Sequence, residues 1–109
     1  MKRYGMVIGL NADKVAEYKK LHANAWPEVL AMIKACNISN YSIFLREPEN
    51  LLFSYYEYHG DDYEADMAKM AADPKTQEWW TFCIPCQKPL DTKKDGEWWI
   101  DMEEVFHVE

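Results

Sequence analysis

A tyrosine and a histidine four positions apart are the first residues whose types and spacing allow chemistry. Tyr18 and His22 lie in a stretch that predicts a helix, so both side chains project from one stripe, about one turn apart. An imidazole titrates near neutral pH and can give up and recover a proton, and a phenol beside it can donate or accept a hydrogen bond. The pair allows acid–base catalysis, although isolated pairs at this spacing are common on helices and more often have no catalytic role.

Two adjacent tryptophans, Trp79 and Trp80, form a second candidate site. Neighbouring side chains on a helix point about 100° apart, so one indole can pack in the core while the other faces a cleft. An indole ring suits the C–H face of a sugar, and its N–H can bond a hydroxyl group. The pair therefore predicts a carbohydrate platform, or core packing for at least one of the two.

The segment Cys83-Ile84-Pro85-Cys86 has the CxxC spacing of zinc and redox sites. A structural zinc site needs four ligands, and no second CxxC or histidine pair lies nearby in the sequence. A redox pair begins a helix after a strand, whereas this one ends a predicted helix. Motifs for phosphate binding, serine hydrolysis and zinc proteolysis are also missing. We therefore predict no metal and no cofactor.

Composition limits the partners of the chain. Its 109 residues are the length of one domain, residues 1–109, and 12 Lys and Arg against 19 Asp and Glu give a net charge of −7. Such an acidic surface is a poor partner for nucleic acid or an anionic membrane, so a small neutral molecule is the expected ligand. No apolar run approaches the ~20 residues of a membrane helix. Three cysteines leave one thiol unpaired in any disulfide scheme, which predicts a reducing compartment, the cytoplasm.

Periodicity and turn residues predict the elements that position these side chains. Strands are expected at 3–10, 41–45, 51–58 and 98–108, and helices at 14–24, 27–36, 60–72 and 74–82. Asn11 or Asp13 is expected to cap the first helix, and residues 37–40 to form a turn. A buried stripe is expected on the second helix at Trp26, Val29, Leu30 and Ile33.

The resulting order is strand, helix, strand, strand, helix, strand, which is the split βαββαβ pattern of an α+β, ferredoxin-like domain. Helices then cover one face of an antiparallel sheet. On the other face, Gly5 and Gly9 leave room for something to approach the backbone. Pairing of two copies through the bare face is the simplest way to cover it, so we expect a homodimer of the dimeric α+β barrel type.

Taken together, five blocks resemble the L-rhamnose mutarotase family over almost the whole chain. In chain order these are Tyr18-x-x-x-His22-x-x-x-Trp26-Pro27-Glu28, Asn40-Tyr41-Ser42-Ile43, Asn50-Leu51-Leu52-Phe53, Trp79-Trp80 and Glu103-Glu104-Val105-Phe106. Their order and spacing are more specific than any single block.

The resemblance implies a role for each matching residue. His22 falls at the family's proton donor, while Tyr18, Tyr41, Trp79 and Trp80 fall at its sugar-binding positions. It also implies a dimeric fold and the interconversion of the α and β anomers of a 6-deoxy-L-hexose through the open-chain aldehyde, with no metal or cofactor. L-Rhamnose is the expected sugar. L-Fucose is the next candidate, because the opening residues 3–9 are similar to a branch associated with L-fucose metabolism.

Two other functions fit the same architecture. A cofactor-free monooxygenase of the dimeric α+β barrel type also surrounds an aromatic-lined pocket with helix and strand residues. A sugar-binding module without catalysis would use His22 only for a hydrogen bond. Neither alternative predicts the block from Tyr18 to Glu28 together with the later tryptophan pair, so mutarotation is the preferred hypothesis.

Overall fold

The computed structural model describes residues 1–109 and contains five strands and four α-helices. In chain order they are β1 (Lys2–Leu10), α1 (Val15–Ala23), α2 (Pro27–Ala35), β2 (Ile38–Arg46), β3 (Leu51–Tyr58), α3 (Tyr63–Ala72), α4 (Pro74–Cys83), β4 (Gln87–Lys88) and β5 (Ile100–Met102). Short 3-10 helices at Ala12–Lys14 and Ile84–Cys86 precede α1 and follow α4. None of the helices is both long and apolar enough to cross a bilayer.

The strands form one antiparallel sheet in the order β2-β3-β1, and β4 and β5 both pair with the remaining edge of β1. The predicted strands at 41–45 and 51–58 form an antiparallel hairpin, in which Leu45 of β2 pairs with Leu52 of β3. The predicted ferredoxin-like topology is confirmed, with its fourth strand position filled by two short pieces of chain.

The predicted strand at 98–108 is wrong in extent, because the fourth strand position is divided between β4 and β5. Only Ile100–Met102 pair with β1, and residues 103–109 have no regular secondary structure. Gln87–Lys88, which lie outside every predicted strand, pair with the other end of β1 instead. The close approach there depends on Gly9, because a Cβ atom at that position would lie 2.5 Å from the main-chain oxygen of Lys88. Gly9 was expected to leave room for a close approach, but no local sequence pattern identified residues 87–88 as the segment that approaches.

The predicted turn at 37–40 is also partly wrong, because β2 already begins at Ile38, which pairs with Tyr58. Asn37 and Asn40 adopt positive φ angles of 66° and 49°, and the pairing register shifts between Ser39 and Ser42. Asparagine tolerates this left-handed conformation better than most residues. Asn37 therefore directly precedes β2, and Asn40 lies at a bulge within that strand.

The helix starts differ in how they are capped. Asp62 and Asp73 cap α3 and α4, their carboxylates accepting the N–H groups of Ala65 and Thr76 at 3.1 and 2.9 Å. The predicted cap of the first helix is wrong, since no side chain caps it. Asn11 instead donates its side-chain amide to the carbonyl oxygen of Pro85, at 3.2 Å. It ties the start of the first helical segment to the chain just before β4.

All four helices pack on one face of the sheet. The larger core cluster joins both layers and contains Ile8, Leu10, Tyr18, Val29, Leu52, Trp79, Cys83 and Cys86. A smaller cluster around Ile38, Tyr56 and Tyr58 lies beneath α3. In the predicted stripe of α2, Val29 is buried but Leu30 is 48% exposed. Leu30 lies about 100° around the helix from Val29, so only part of the stripe reaches the sheet.

The second face of the sheet carries apolar residues without a helix to cover them. Phe44 pairs with Phe53, which pairs with Val7, so the three side chains lie in one row. Phe44 is 65% exposed, and Phe106 in the C-terminal segment is 81% exposed. These side chains leave a substantial apolar surface uncovered.

Candidate active site

Helix α1 brings Tyr18 and His22 into contact. Their ring centroids lie 4.1 Å apart with an interplanar angle of 26°, so the rings stack. Tyr18 is buried against the sheet as part of the core, whereas His22 is half-buried at the core's edge. The four-residue spacing thus produces the adjacency that the sequence predicted.

The imidazole of His22 has a defined tautomer. Its Nδ1 lies 3.0 Å from the main-chain carbonyl oxygen of Tyr18, and a carbonyl can only accept, so Nδ1 carries the proton. Burial lowers the pKa of His22 below 6.5, although the bond to Tyr18 opposes this effect. At neutral pH the ring is therefore uncharged, and Nε2 is available as a base.

The hydroxyl of Tyr18 has the opposite character. Burial raises its pKa well above 10, and the nearby Tyr41 phenol adds to the rise. A phenol with a raised pKa keeps its proton, so Tyr18 acts as a hydrogen-bond donor and not as a base.

The two tryptophans lie on different sides of α4. Trp79 is buried, and its ring meets His22 edge-on with centroids 5.3 Å apart. It meets Trp26 in the same way, also at 5.3 Å. Trp80 is half-buried and packs against the border of the same core. This division matches the prediction that one indole is a core residue while its neighbour is more accessible.

Tyr41 lies on the sheet, against the smaller core cluster. The residue as a whole is 41% exposed, but its phenol lies 5.2 Å from the ring of Tyr56, and burial raises its pKa to about 12. Counted from Ile38, regular alternation would turn Tyr41 toward the bare face. The bulge at Asn40 reverses this and places Tyr41 on the helix-covered face, alongside Tyr56.

Structure and sequence thus agree on a cluster of aromatic rings around one imidazole. His22 contacts both Tyr18 and Trp79, Trp80 lies at the border of the same core, and Tyr41 contacts Tyr56 of the smaller cluster. A groove of about 390 Å³ lies beside the cluster and includes Trp26 in its lining, although none of the five predicted residues lines it. The cluster supplies one base, hydroxyl donors and apolar ring surfaces.

The buried thiols have a different character. Burial raises the pKa of Cys83 to about 12 and raises that of Cys86. Neither side chain is a thiolate at neutral pH, and a thiolate is the form that attacks or binds metal. Both cysteines belong to the core cluster. Elsewhere too, no three His, Cys, Asp or Glu side chains are grouped so that they could hold a metal ion.

Two residues of this region were not predicted from the sequence. Gln87, on β4, accepts a 2.7 Å hydrogen bond at its side-chain oxygen from the indole N–H of Trp98. No local pattern distinguishes this glutamine, because its position depends on the pairing of β4 with β1. The neighbouring Trp99 packs against the core, so the two adjacent indoles point in different directions.

Comparison with known proteins identifies the family. A family model described as L-rhamnose mutarotase matches residues 3–108. The chain belongs to the L-rhamnose mutarotase family. Relatives named L-rhamnose mutarotase from Oceanobacillus iheyensis and Mannheimia succiniciproducens are 38% and 42% identical over 109 and 111 residues, and each match covers 100% of both chains. The resemblance stated from the five sequence blocks is confirmed.

Solved structures agree with the architecture of a mutarotase. The crystal structure of L-rhamnose mutarotase FA22100 from Formosa agariphila has a TM-score of 0.78 and 28% identity, with 100% of both chains covered. Tetracenomycin F2 cyclase from Streptomyces glaucescens, a type-II polyketide cyclase, has a TM-score of 0.69 and 13% identity, again with 100% of both chains covered. The cyclase is a likeness of fold alone. The comparisons favour the mutarotase hypothesis over the monooxygenase alternative.

Proposed function

We propose that this protein interconverts the α and β anomers of L-rhamnose. The family match over residues 3–108 is the observation that carries the proposal. The surroundings of His22 support it, because a neutral imidazole with a free Nε2 adjoins a phenol and an indole ring. Such an enzyme is an isomerase acting on a carbohydrate.

Mutarotation needs one proton to leave the anomeric hydroxyl and one to reach the ring oxygen. In the proposed reaction, Nε2 of His22 accepts the hydroxyl proton while the bond between the anomeric carbon and the ring oxygen breaks. The imidazolium then protonates the ring oxygen, which completes the open-chain aldehyde. Rotation of the carbonyl and the reverse steps close the ring as the other anomer. One well-placed acid–base group contributes about 10² to 10⁴ in rate, or roughly 3 to 5 kcal/mol of barrier.

The remaining site residues have binding roles in this proposal. Tyr18 keeps its proton and donates a hydrogen bond to a sugar oxygen, and Tyr41 does the same from the sheet. A 6-deoxy sugar carries a methyl group, which needs an apolar contact. The ring surfaces of Trp79 and Trp80 are suited to that contact and to packing on the sugar ring.

The deciding experiment is saturation-transfer NMR with purified protein on L-rhamnose and L-fucose in turn. Irradiating one anomeric signal should reduce the other in proportion to the exchange rate, and we expect the larger effect with L-rhamnose. A larger effect with L-fucose would reassign the sugar while keeping the reaction. Exchange at the uncatalysed rate for both sugars would reject the proposed activity, and sugar binding without exchange would indicate a binding module.

We further propose that the protein acts as a homodimer. Phe44 and Phe53 on the bare sheet face, and the exposed Phe106, are the surfaces that a second copy would cover. A cytoplasmic location is proposed as well, supported by the odd number of cysteines.

A further inference from the structure

Strand β2 carries one residue more than its partner strand at the bulge. Asn40 and Tyr41 of β2 together lie opposite Tyr56 of β3, because the pairing register shifts between Ser39 and Ser42. Asn40 has a φ angle of 49°, the left-handed conformation of the first residue in one class of β-bulge, where glycine is usual. The bulge is therefore a defined local structure centred on an asparagine.

This bulge decides which side chains of β2 face the helices. Ile38 and Tyr41 are three residues apart, and an odd separation puts two side chains of a regular strand on opposite faces. Here both face the helices, since Ile38 is 4% exposed in the smaller core cluster and the ring of Tyr41 lies 5.2 Å from that of Tyr56. If the bulge relaxed into regular pairing, one of the two would have to leave this face. Tyr41 is the one that leaves at the lower cost, because it is already 41% exposed.

On the bare face of the sheet, the carboxylate of Glu57 holds the bulge. Nδ2 of Asn40 donates to Oε1 of Glu57 at 2.7 Å, and the hydroxyl of Tyr55 donates to Oε2 at 2.8 Å. These bonds lower the pKa of Glu57, so the carboxylate is ionised at neutral pH and accepts both. The imidazole Nε2 of His59 lies 3.6 Å from Oε1, beyond hydrogen-bond distance. Asn40 and Tyr55 are thus the hydrogen-bonding partners of this carboxylate.

The bond from Asn40 to Glu57 stabilises an otherwise unfavourable backbone conformation. A left-handed φ angle brings the Cβ atom close to the main chain, although asparagine adopts it more readily than most residues. The acceptor is ionised, and such a hydrogen bond is stronger than one between neutral groups. Because the bond joins neighbouring strands, it fixes the place of Asn40 in the sheet as well as its side chain.

We propose that Glu57, held by the hydroxyl of Tyr55, is a positioning residue that maintains the bulge at Asn40 and so keeps Tyr41 on the helix-covered face for binding the sugar. This role rests on the proposed function, which assigns Tyr41 to sugar binding. It places the positioning groups on the face of the sheet opposite to the ring that they direct.

The first test is a double-mutant cycle between Glu57→Leu and Tyr41→Ala. Leucine offers no acceptor, so Asn40 loses its partner on β3. We expect Glu57→Leu to raise KM for the preferred sugar by about tenfold and to leave kcat within about twofold, because His22 on α1 is not affected. In the Tyr41→Ala background the same change should have an effect of less than about twofold, since no side chain is left to turn. Glu64→Leu, which replaces an exposed glutamate of α3, is the matched control and should leave both constants unchanged.

A glycine at the bulge provides a rescue test. Glycine adopts a positive φ angle without a clash of a Cβ atom. The double variant Asn40→Gly/Glu57→Leu should therefore form the bulge without the carboxylate, and its KM should return to within about threefold of the wild-type value. A double variant as impaired as Glu57→Leu alone would overturn the positioning role, and so would equal losses with and without the side chain of Tyr41. A wild-type protein that accelerates exchange of neither L-rhamnose nor L-fucose would instead reject the proposed function, so the two failures are distinguishable.

A third measurement needs no activity. In the sugar-free protein, the ring protons of Tyr41 and Tyr56 should give a nuclear Overhauser effect, because the two rings are in contact. We expect this signal to be lost in Glu57→Leu, to persist in Glu64→Leu and to return in Asn40→Gly/Glu57→Leu. A signal of wild-type intensity in Glu57→Leu would overturn the proposal whatever the kinetics show.

Discussion

The ring of His22 stacks on the ring of Tyr18 at 4.1 Å while its Nδ1 donates to the carbonyl oxygen of the same residue at 3.0 Å. One residue therefore fixes both the plane and the tautomer of the imidazole. In many enzymes a carboxylate on another element performs this task. Here the orienting groups and the base belong to a single turn of α1, so the site depends on that turn remaining helical.

Replacing His22 by alanine is expected to lower the anomer exchange rate by about 10² to 10⁴, because the group that moves the proton is lost. Affinity for the sugar should stay within roughly tenfold of the wild type. Saturation-transfer NMR gives the rate, and titration calorimetry gives the affinity. His59→Ala, which removes an exposed histidine at the end of β3, is the matched control. Wild-type exchange in His22→Ala would remove His22 from the mechanism.

The free energy of unfolding is expected to fall as the pH drops below about 6.5. The pKa of His22 is lowered in the folded protein, so the unfolded chain binds a proton more readily, and the stabilisation present at neutral pH is lost as the pH falls through the folded pKa. Urea unfolding between pH 7.5 and 5 measures the effect. The carboxylates of Glu57 and Asp66, whose pKa values are lowered, stay ionised in this range. The pH dependence should be smaller in His22→Gln, and an unchanged dependence would contradict the assignment.

The two tryptophans of α4 should respond differently to alanine. Trp79 is buried in the core, so Trp79→Ala is expected to reduce the free energy of unfolding by about 3 to 5 kcal/mol. Trp80 is only half-buried, so Trp80→Ala should mainly weaken sugar binding, raising KM by about tenfold. Chemical denaturation and saturation kinetics separate the two effects. Equal KM values for Trp80→Ala and wild type would exclude Trp80 from the sugar site.

Gly9→Ala should destabilise the sheet edge by about 1 to 3 kcal/mol, because its Cβ would lie 2.5 Å from the Lys88 oxygen and the main chain would have to move. Gly5→Ala is the control on the same strand and face. Its Cβ would meet the flexible end of Met102 at 3.5 Å and the main-chain oxygen of Ser54 at 4.0 Å, both ordinary contacts. Denaturation midpoints of the two variants compare them directly, and equal midpoints would contradict the tight approach of β4.

A charge on the bare sheet face should dissociate the proposed homodimer. Phe44→Asp places a carboxylate in the row with Phe53, and its desolvation would oppose pairing with a second copy. Leu30→Asp, also an exposed apolar residue but on α2, is expected to leave the association unchanged. Sedimentation velocity at micromolar concentrations measures both. A monomeric wild type would refute the dimer.

Local signals account for most of the predicted fold. Strands β1 and β3 and the caps of α3 and α4 follow from alternation and from aspartates at the helix starts, which depend only on neighbouring residues. The start of β2 and the division of the fourth strand depend on pairing with distant residues. For that reason residues 38–40 of β2 were predicted as part of a turn, and Gln87–Lys88 lay outside every predicted strand.

The same distinction applies to the candidate site: residues placed by local spacing could be predicted, and residues placed by strand pairing could not. A four-residue spacing on a helix is enough to place Tyr18 beside His22. Alternation within the predicted strand 41–45 places Tyr41 on the same face as Ile43 and Leu45, but its sugar-binding role was assigned only through family resemblance. Gln87 and Trp98 carry no sequence signal, since their hydrogen bond joins β4 to the segment before β5.

The interruption between β4 and β5 leaves a span of chain anchored at both ends by β1. Insertions or deletions between residues 89 and 99 can therefore be absorbed without changing the register of either short strand. Such changes leave α1, the helix that carries His22, unaltered, so this part of the fold can vary without disturbing the proposed base.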